Sequence, residues 1–518
     1  MNRREFLRDN VALSAGALAA SVLPSAASDA QRIVMDPTPQ FEISPHLYMQ
    51  MMEPLGVTDS SVAASWDYQT DDWRSDFIET TRDLAPGCVR FGGLVSRYYK
   101  WREGVGQVST RPPMRNHVWG GWETNRVGTH EFVDFCRRVD AEPLYCVNFM
   151  SDGHTEFAHT HEGQNRTGDA QEAADWVSYA NDPDNADRKR NGVASPYKIQ
   201  LWQLGNETSY GQGGFSKEES IQHTMEFARA MKQRDPSIHL IGWGDRHGGP
   251  AEPLWAGDLV RQAGEHLDYV AIHMMGQHPR HPDSTLIGRR WEATPEQAWG
   301  ELLELANNVE RRVTELEQAL AGASSPAGIA ITEGHLSLPP NNTSPLLREW
   351  LTGVYHARSM NIYQRHGARV KIATAADFNG TRWTSNALLV PVPRGRSYLL
   401  PAGSVMRLFK RHNGTHGVAL KSCPADLDVA ASRAGGRYFL HVANLNYGRA
   451  VEASLAVDGV MLRAGRTFAI APENLREYVD QDRADVFVPV EKAISGEPAQ
   501  ELKWRFPAGS VTAVELES

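Results

Sequence analysis

The chain has 518 residues, 41% of them hydrophobic and 22% charged, with a formal net charge of -10 and a pI near 6.0. This composition can bury a core larger than one ordinary domain requires, and it excludes nucleic acid as a partner because there is no basic field to collect phosphates. A neutral sugar is compatible with it.

Taken in order, the chain opens on Asn2-Arg3-Arg4-Glu5-Phe6-Leu7, an apolar stretch from Val11 to Leu23, and small residues at Ala26-Ala27. The pattern is that of a twin-arginine export signal over residues 1–30, and implies a periplasmic or secreted protein with no membrane attachment once the signal is removed. The apolar part is too short and too Ala-rich for a membrane span, and nothing later is long enough. Cys88, Cys136, Cys146 and Cys423 form no Cys-x-x-Cys pair. They are expected to be buried free thiols.

From Phe41 onward, short apolar runs alternate with helical patterns. Strands are expected at Ile43 to Met49, with Glu53 just beyond, then at Cys88 to Phe91, Pro143 to Phe149, Ile199 to Leu204, His239 to Trp243, Tyr269 to His273, Gly328 to Glu333 and Lys371 to Phe378. Helices are expected at Thr129 to Val139, at about Asp169 to Ala180, at Lys217 to Gln233, and within Pro295 to Ala321 behind a Thr294 N-cap. Eight strands alternating with helices define a parallel α/β architecture, here a (β/α)8 barrel over residues 31–411 whose first residues are available to a second sheet. From about His412 the runs shorten and alternate between Gly, Asn and Asp turns, which predicts an antiparallel β-sandwich over 412–518.

Two of the strands end in carboxylates. The apolar run to Leu204 breaks into Gly205-Asn206-Glu207, and Gly328 to Thr332 ends on Glu333. With units of roughly 40 residues, the two glutamates fall three strands apart on the same rim, where barrel active sites lie. Paired carboxylates there fit glycoside hydrolysis, one protonating the departing oxygen while the other attacks the anomeric carbon or activates water. Arg90, at the end of the second strand, is placed to hold a carboxylate ionised or to form an ordinary rim salt bridge.

Four segments carry a resemblance. They are Arg111-Pro112 through Trp119-Gly120-Gly121-x-Glu123-x-Asn125-x-x-Gly128-Thr129-x-Glu131-Phe132; Ala141-Glu142-Pro143-x-x-Cys146-Val147-Asn148; Glu172-Ala173-Ala174-Asp175-Trp176-Val177-x-Tyr179; and Leu204-Gly205-Asn206-Glu207. Together they resemble the family 51 glycoside hydrolases, mostly retaining α-L-arabinofuranosidases. The resemblance implies Glu207 as acid/base, Glu333 as nucleophile, Asn206 as partner of the sugar 2-hydroxyl, Glu53 as a contact in the glycone pocket, and a jelly-roll-like C-terminal sandwich. We expect Glu53, Arg90, Asn206, Trp119, His273 and Trp383 to bind a carbohydrate substrate, with no metal or other cofactor; a homo-oligomer is compatible with this reading. The chain departs from the family at Leu94, where an Asn usually follows the two glycines, and at Met274-Met275, where a Tyr usually follows the strand-six His. Both changes leave the identity of the sugar open, another furanose or a pyranose included.

Two other classes compete. His154, His159 and His161, with His273, His278 and His281, are potential zinc ligands, though no matched carboxylate spacing accompanies them. Trp119, Trp122, Trp202, Trp243 and Trp383 could serve a non-catalytic sugar-binding module.

Overall fold

The computed structural model describes residues 31–518 apart from 54–60, 155, 157, 159–163, 212, 276–278, 280, 341, 378, 382 and 495–496. The export signal expected on residues 1–30 lies outside the described residues. Among those described, no helix is long and apolar enough to cross a membrane.

Strand β1 (Arg32–Glu42) belongs to the C-terminal sheet, and the barrel begins with β2 (Met49–Met52). Six strands follow in parallel, β3 (Cys88–Phe91), β4 (Glu142–Val147), β5 (Leu201–Leu204), β6 (His239–Trp243), β7 (Tyr269–His273) and β8 (Gly328–Glu333), and β9 (Val370–Ile372) ends the series. Closure between β9 and β2 rests on a parallel bridge from Leu47 to Ala373 and on Met49 N–H donating to the Ala373 carbonyl at 2.8 Å. The expected first strand, Ile43 to Met49, thus ends where the barrel strand begins, and the strand pattern just before it belongs to β1, where Phe41 pairs with Gly417. Outside the barrel lie helices α1 (Ser75–Leu84), α2 (Thr129–Arg138), α3 (Ala170–Asn181), α4 (Lys217–Arg234), α5 (Ala256–Ala263), α6 (Pro295–Gly322), α7 (Gly353–Arg365) and α8 (Pro401–Arg411). Thr294 occupies the N-cap position of α6 without capping it; its hydroxyl donates back to the Arg290 carbonyl at 3.2 Å.

The barrel interior is layered, as the period-2 alternation of strands requires. Met49, Cys88, Leu144, Leu201, Ile241, Ala271, Ala330 and Ile372, one from each strand, form an apolar floor. Two residues further along five of the strands stand Met51, Arg90, Gln203, Trp243 and His273, all at most 2% exposed. The inward face thus turns from apolar to polar within a single step toward the C-terminal rim, and the site sits on that transition.

The C-terminal sheet adds β10 (His416–Ser422), β11 (Leu427–Ala434), β12 (Arg437–Asn444), β13 (Val451–Val457), β14 (Ala464–Ile470), β15 (Val490–Ile494), β16 (Glu501–Phe506) and β17 (Val511–Glu517). The strand order is β15-β14-β17-β12-β11-β10-β1-β13-β16, antiparallel except where β1 pairs with β13. Around its own apolar core, it docks on the barrel through α7, where Arg365 and Asn361 both bond the Asp428 carboxylate at 2.8 and 2.9 Å. Cys88, Cys136 and Cys146 are buried free thiols; Cys423 is free but exposed, since it lies in the turn between β10 and β11.

Candidate active site

Beyond β5 the chain turns on Gly205 (φ 73°), and Glu207 itself is left-handed (φ 54°). A Cβ on Gly205 would stand 2.7 Å from an Asp152 carboxylate oxygen and 2.8 Å from the Phe149 ring, so only glycine fits. The turn carries Asn206 and Glu207 over the barrel mouth. Glu333 reaches the same place by another device: between β7 and β8 the register slips by one residue after the Ile272–Ile331 pair, so that Glu333, not Thr332, lies opposite His273.

His273 joins the two glutamates. Its Nδ1 lies 2.9 Å from Glu207 Oε1 and 3.6 Å from Glu333 Oε2. Its Nε2 is buried without a partner, so the hydrogen belongs on Nδ1, where it has an acceptor. One ligand atom from each of Glu207, His273 and Glu333 falls within 4.8 Å of the other two.

Arg90 is fully buried and spreads its guanidinium over three oxygen acceptors: Nε to Gln203 Oε1 at 2.9 Å, Nη1 to Glu333 Oε1 at 2.8 Å and Nη2 to Asn206 Oδ1 at 2.6 Å. This leaves Asn206 Nδ2 a buried donor with no protein partner. Glu53 accepts the Val95 N–H at 2.8 Å. Its carboxyl lies where a Cβ on Gly93 would intrude to 2.7 Å, and Gly93 has φ 127°, so the pocket depends on glycine there as well. Trp119 and Trp383 meet edge to face at 5.3 Å beside Met51.

Burial pushes every carboxyl here upward. At Glu207 that push is outweighed by the hydrogen bond from His273, aided by Arg97 and Arg90, and the group lies below its ordinary range. At Glu333 burial prevails over His273 and Arg90 and leaves it raised. Glu53 is raised well above a normal carboxyl, first by burial and then by Glu333.

The structure therefore brings together Glu207, Glu333, Asn206, Arg90, His273 and Glu53, with the Trp119–Trp383 pair beside Met51. Of the other tryptophans considered, Trp202 is core, packed against Tyr145 and Trp176, and Trp243 backs His273 edge-on at 4.6 Å. Trp122 is 57% exposed. Of the histidines considered as zinc ligands, His159, His161 and His278 lie outside the described residues, and His154 is engaged with Glu156 and the Tyr210 carbonyl. Glu207, His273 and Glu333 are the one set among the described residues spaced for a metal, but the Arg90 guanidinium on Glu333 opposes a cation there. A cavity of about 760 Å³ adjoins Tyr210, Asp245 and Arg312 without including either glutamate.

Several supporting residues escape a reading of the sequence. Gln203 donates to the Gly205 carbonyl at 2.9 Å while accepting from Arg90, and its signal was a polar residue inside an apolar strand. Asp377 accepts Gly334 N–H at 3.1 Å and pairs with His335 at 3.0 Å, fixing the chain just after Glu333.

Residues 80–289 match the family model described as "Alpha-L-arabinofuranosidase 1 domain". A protein of Acetivibrio thermocellus named intracellular exo-alpha-(1->5)-L-arabinofuranosidase is 31% identical over 244 residues, 45% of each chain. A similarly named Bacillus subtilis protein is 30% identical over 211 residues, 39% of each. The matched stretch is thus less than half the length of these curated relatives. The solved α-L-arabinofuranosidase from Thermotoga maritima, in complex with arabinose, superposes with a TM-score of 0.76 at 20% identity, covering 94% of this chain and 100% of that one. The family 51 arabinofuranosidase from Xanthomonas axonopodis pv. citri gives 0.74 at 20% identity with the same coverage. The chain is accordingly a protein similar to the family 51 arabinofuranosidases, with their fold over 94% of its length and a match to their domain model across the stretch that supplies Arg90, Asn206, Glu207 and His273.

Proposed function

We propose that the protein is a retaining α-L-arabinofuranosidase that removes terminal arabinofuranosyl residues by double displacement, with Glu207 as acid/base and Glu333 as nucleophile. The observation that carries the reading is the placing of Glu207 and Glu333 oxygens within 4.8 Å of each other at one rim, bridged by His273. Retaining enzymes hold their carboxyl groups about 5–5.5 Å apart, whereas inverting ones leave about 6.5–9.5 Å for a water.

In the first step the Glu333 carboxylate attacks the anomeric carbon, the glycosidic C–O bond breaks, and the Glu207 proton passes to the departing oxygen. In the second, Glu207 takes a proton from water, whose oxygen displaces Glu333 and restores the original configuration. Arg90 compensates the Glu333 charge, and Asn206 Nδ2 offers a donor to a sugar hydroxyl. Two carboxyls this close titrate as one unit, in which burial raises Glu333 while at Glu207 the His273 hydrogen bond outweighs burial, an order of preference that puts Glu333 above Glu207. A seated substrate reverses that preference: a glycosidic oxygen beside Glu207 needs the protonated form, and positive charge developing at the anomeric carbon favours ionised Glu333.

A panel of nitrophenyl furanosides and pyranosides tests the substrate, and proton NMR of the first-formed sugar tests the mechanism. The proposal requires turnover of the α-L-arabinofuranoside with an α-configured first product. Turnover confined to another glycoside, or an inverted product, contradicts it.

We also propose twin-arginine export, for which residues 2–27 are the sole support, since the two relatives described above are named intracellular enzymes. Replacing Arg3 and Arg4 by Lys should retain the protein in the cytoplasm; an unchanged exported yield would refute this.

A further inference from the structure

Helix α6 has 28 residues and is roughly 42 Å long, whereas the five-residue strand β7 before it spans about 17 Å. The helix overshoots the strand, and Arg312 in its second half reaches the rim. Arg312 Nη1 donates to the His273 carbonyl at 3.0 Å, and Nη2 donates to Asp245 Oδ2 at 2.6 Å. Asp245 lies two residues beyond β6 and is 1% exposed; its Oδ1 accepts the Arg246 N–H at 2.9 Å.

A second donor to Asp245 Oδ2 comes from the segment after β5, where the Tyr210 hydroxyl approaches to 2.5 Å. Tyr210 closes the turn that Glu207 opens, since its N–H donates to the Glu207 carbonyl at 2.9 Å. Its aromatic ring stands edge-on to Trp243 at 5.2 Å, and Trp243 stands edge-on to His273 at 4.6 Å. The Ser209 hydroxyl beside it accepts from Trp243 Nε1 at 2.8 Å and donates to the Arg246 carbonyl at 3.0 Å. The turn is thereby sewn to the end of β6.

These bonds form a closed circuit. The Glu207 carboxylate is held by the His273 side chain, the His273 carbonyl by Arg312, Arg312 by Asp245, Asp245 by Tyr210, and Tyr210 by the Glu207 carbonyl. Glu207 has a left-handed backbone (φ 54°), which costs a residue with a Cβ roughly 1 kcal/mol, so its surroundings must impose the turn. The circuit does so from two directions, one on the carboxylate and one on the backbone.

Resting on the assignment of Glu207 as acid/base, we infer that Tyr210, Asp245 and Arg312 are positioning residues for proton delivery, acting through the backbones of Glu207 and His273 and not on the sugar. Opening the circuit leaves both glutamates in place but lets the acid wander from the departing oxygen. The loss then falls on substrates that need the proton.

The test compares kcat/KM, which reports the first bond-breaking step, on two furanosides that the wild type turns over, one with a good leaving group and one with a poor one. Tyr210→Phe keeps the aromatic ring against Trp243 and deletes the bond to Asp245. It should lower kcat/KM about 10-fold on the poor leaving group, part of the roughly 100- to 10,000-fold that a general acid supplies, and less than about two-fold on the good one. Arg312→Lys keeps a cation but not the fork that spans Asp245 and the His273 carbonyl, and should show the same selective loss. The double variant should lose little beyond the larger single loss, because both changes open one circuit. A merely structural role predicts equal losses on the two substrates, following the folded fraction. Equal losses, an unchanged Tyr210→Phe, or losses that multiply in the double variant overturn the inference. If Arg312→Lys does not fold, the two-substrate comparison in Tyr210→Phe decides alone. Wild-type protein without turnover on any furanoside overturns the Glu207 assignment and the circuit together, whereas an active wild type whose Tyr210→Phe variant loses both substrates alike overturns the circuit alone.

Discussion

Replacing Arg90 by Lys keeps the positive charge and removes the fork. In the wild-type site, three separate nitrogens of Arg90 serve Gln203, Glu333 and Asn206 at 2.9, 2.8 and 2.6 Å. A lysine ammonium on a shorter reach can serve one of these positions well, and Glu333, as the charged partner, competes best for it. Gln203 Oε1 and Asn206 Oδ1 then lose a charged donor in a fully buried setting, at about 1.5–3 kcal/mol each. Allowing for partial regain through rearrangement, we expect a net loss of about 3 kcal/mol, or a fall in Tm of about 3 °C by calorimetry. Activity should fall further than stability suggests, because Asn206 and Glu333 are no longer fixed relative to each other; a displacement on the order of 1 Å at such groups costs about 100-fold in kcat. Loss of kcat with Tm and KM near wild type would show that the charge alone matters less than the fork. Wild-type kcat together with wild-type Tm would refute the reasoning.

Two further outcomes follow from the same geometry. Glu207→Ala should spare substrates with good leaving groups while crippling those with poor ones by about 100-fold or more, and azide should restore turnover with formation of a glycosyl azide; equal losses on both substrate types would argue against Glu207 as the acid. For stability against pH, the folded-state carboxyl of Asp152 titrates near 7, above the unfolded value near 3.9, so the folded state binds the extra proton. Its contribution is present below about pH 4 and is lost as pH rises to 7, a decline of about 4 kcal/mol. Denaturant titrations at pH 4 to 7 should show this decline in wild type and its absence in Asp152→Asn; parallel curves would contradict it.

Much of the barrel was legible because its strands are buried on both faces and read as short apolar runs, and because a carboxylate closing such a run marks the rim. Glu207 and Glu333 stood out for that reason. The first strand did not, since Phe41 and its neighbours satisfy a strand pattern equally well in the second sheet, and the choice is made by pairing with residues nearly 400 positions away, Val34 opposite Ser422. Helix α7 was obscured by its burial: Val354, Tyr355, Ala357, Met360, Ile362 and Tyr363 are all buried between barrel and sandwich, which erases the amphipathic period. The left-handed turn at Met150 to Gly153 is beyond local reading altogether. Asp152 and Gly153 tolerate that conformation, but Met150 and Ser151 have no preference for it, and tertiary contacts impose it.

The central claim, that Glu333 forms the covalent link and Glu207 delivers the proton, is tested most directly by inactivating the protein with a cyclophellitol-type arabinofuranoside and mapping the modified peptide by mass spectrometry. The account predicts one label per chain, on Glu333 within the peptide Gly328–Glu333, and protection by arabinose. A label on Glu207, or complete inactivation with Glu333 unmodified, would contradict it.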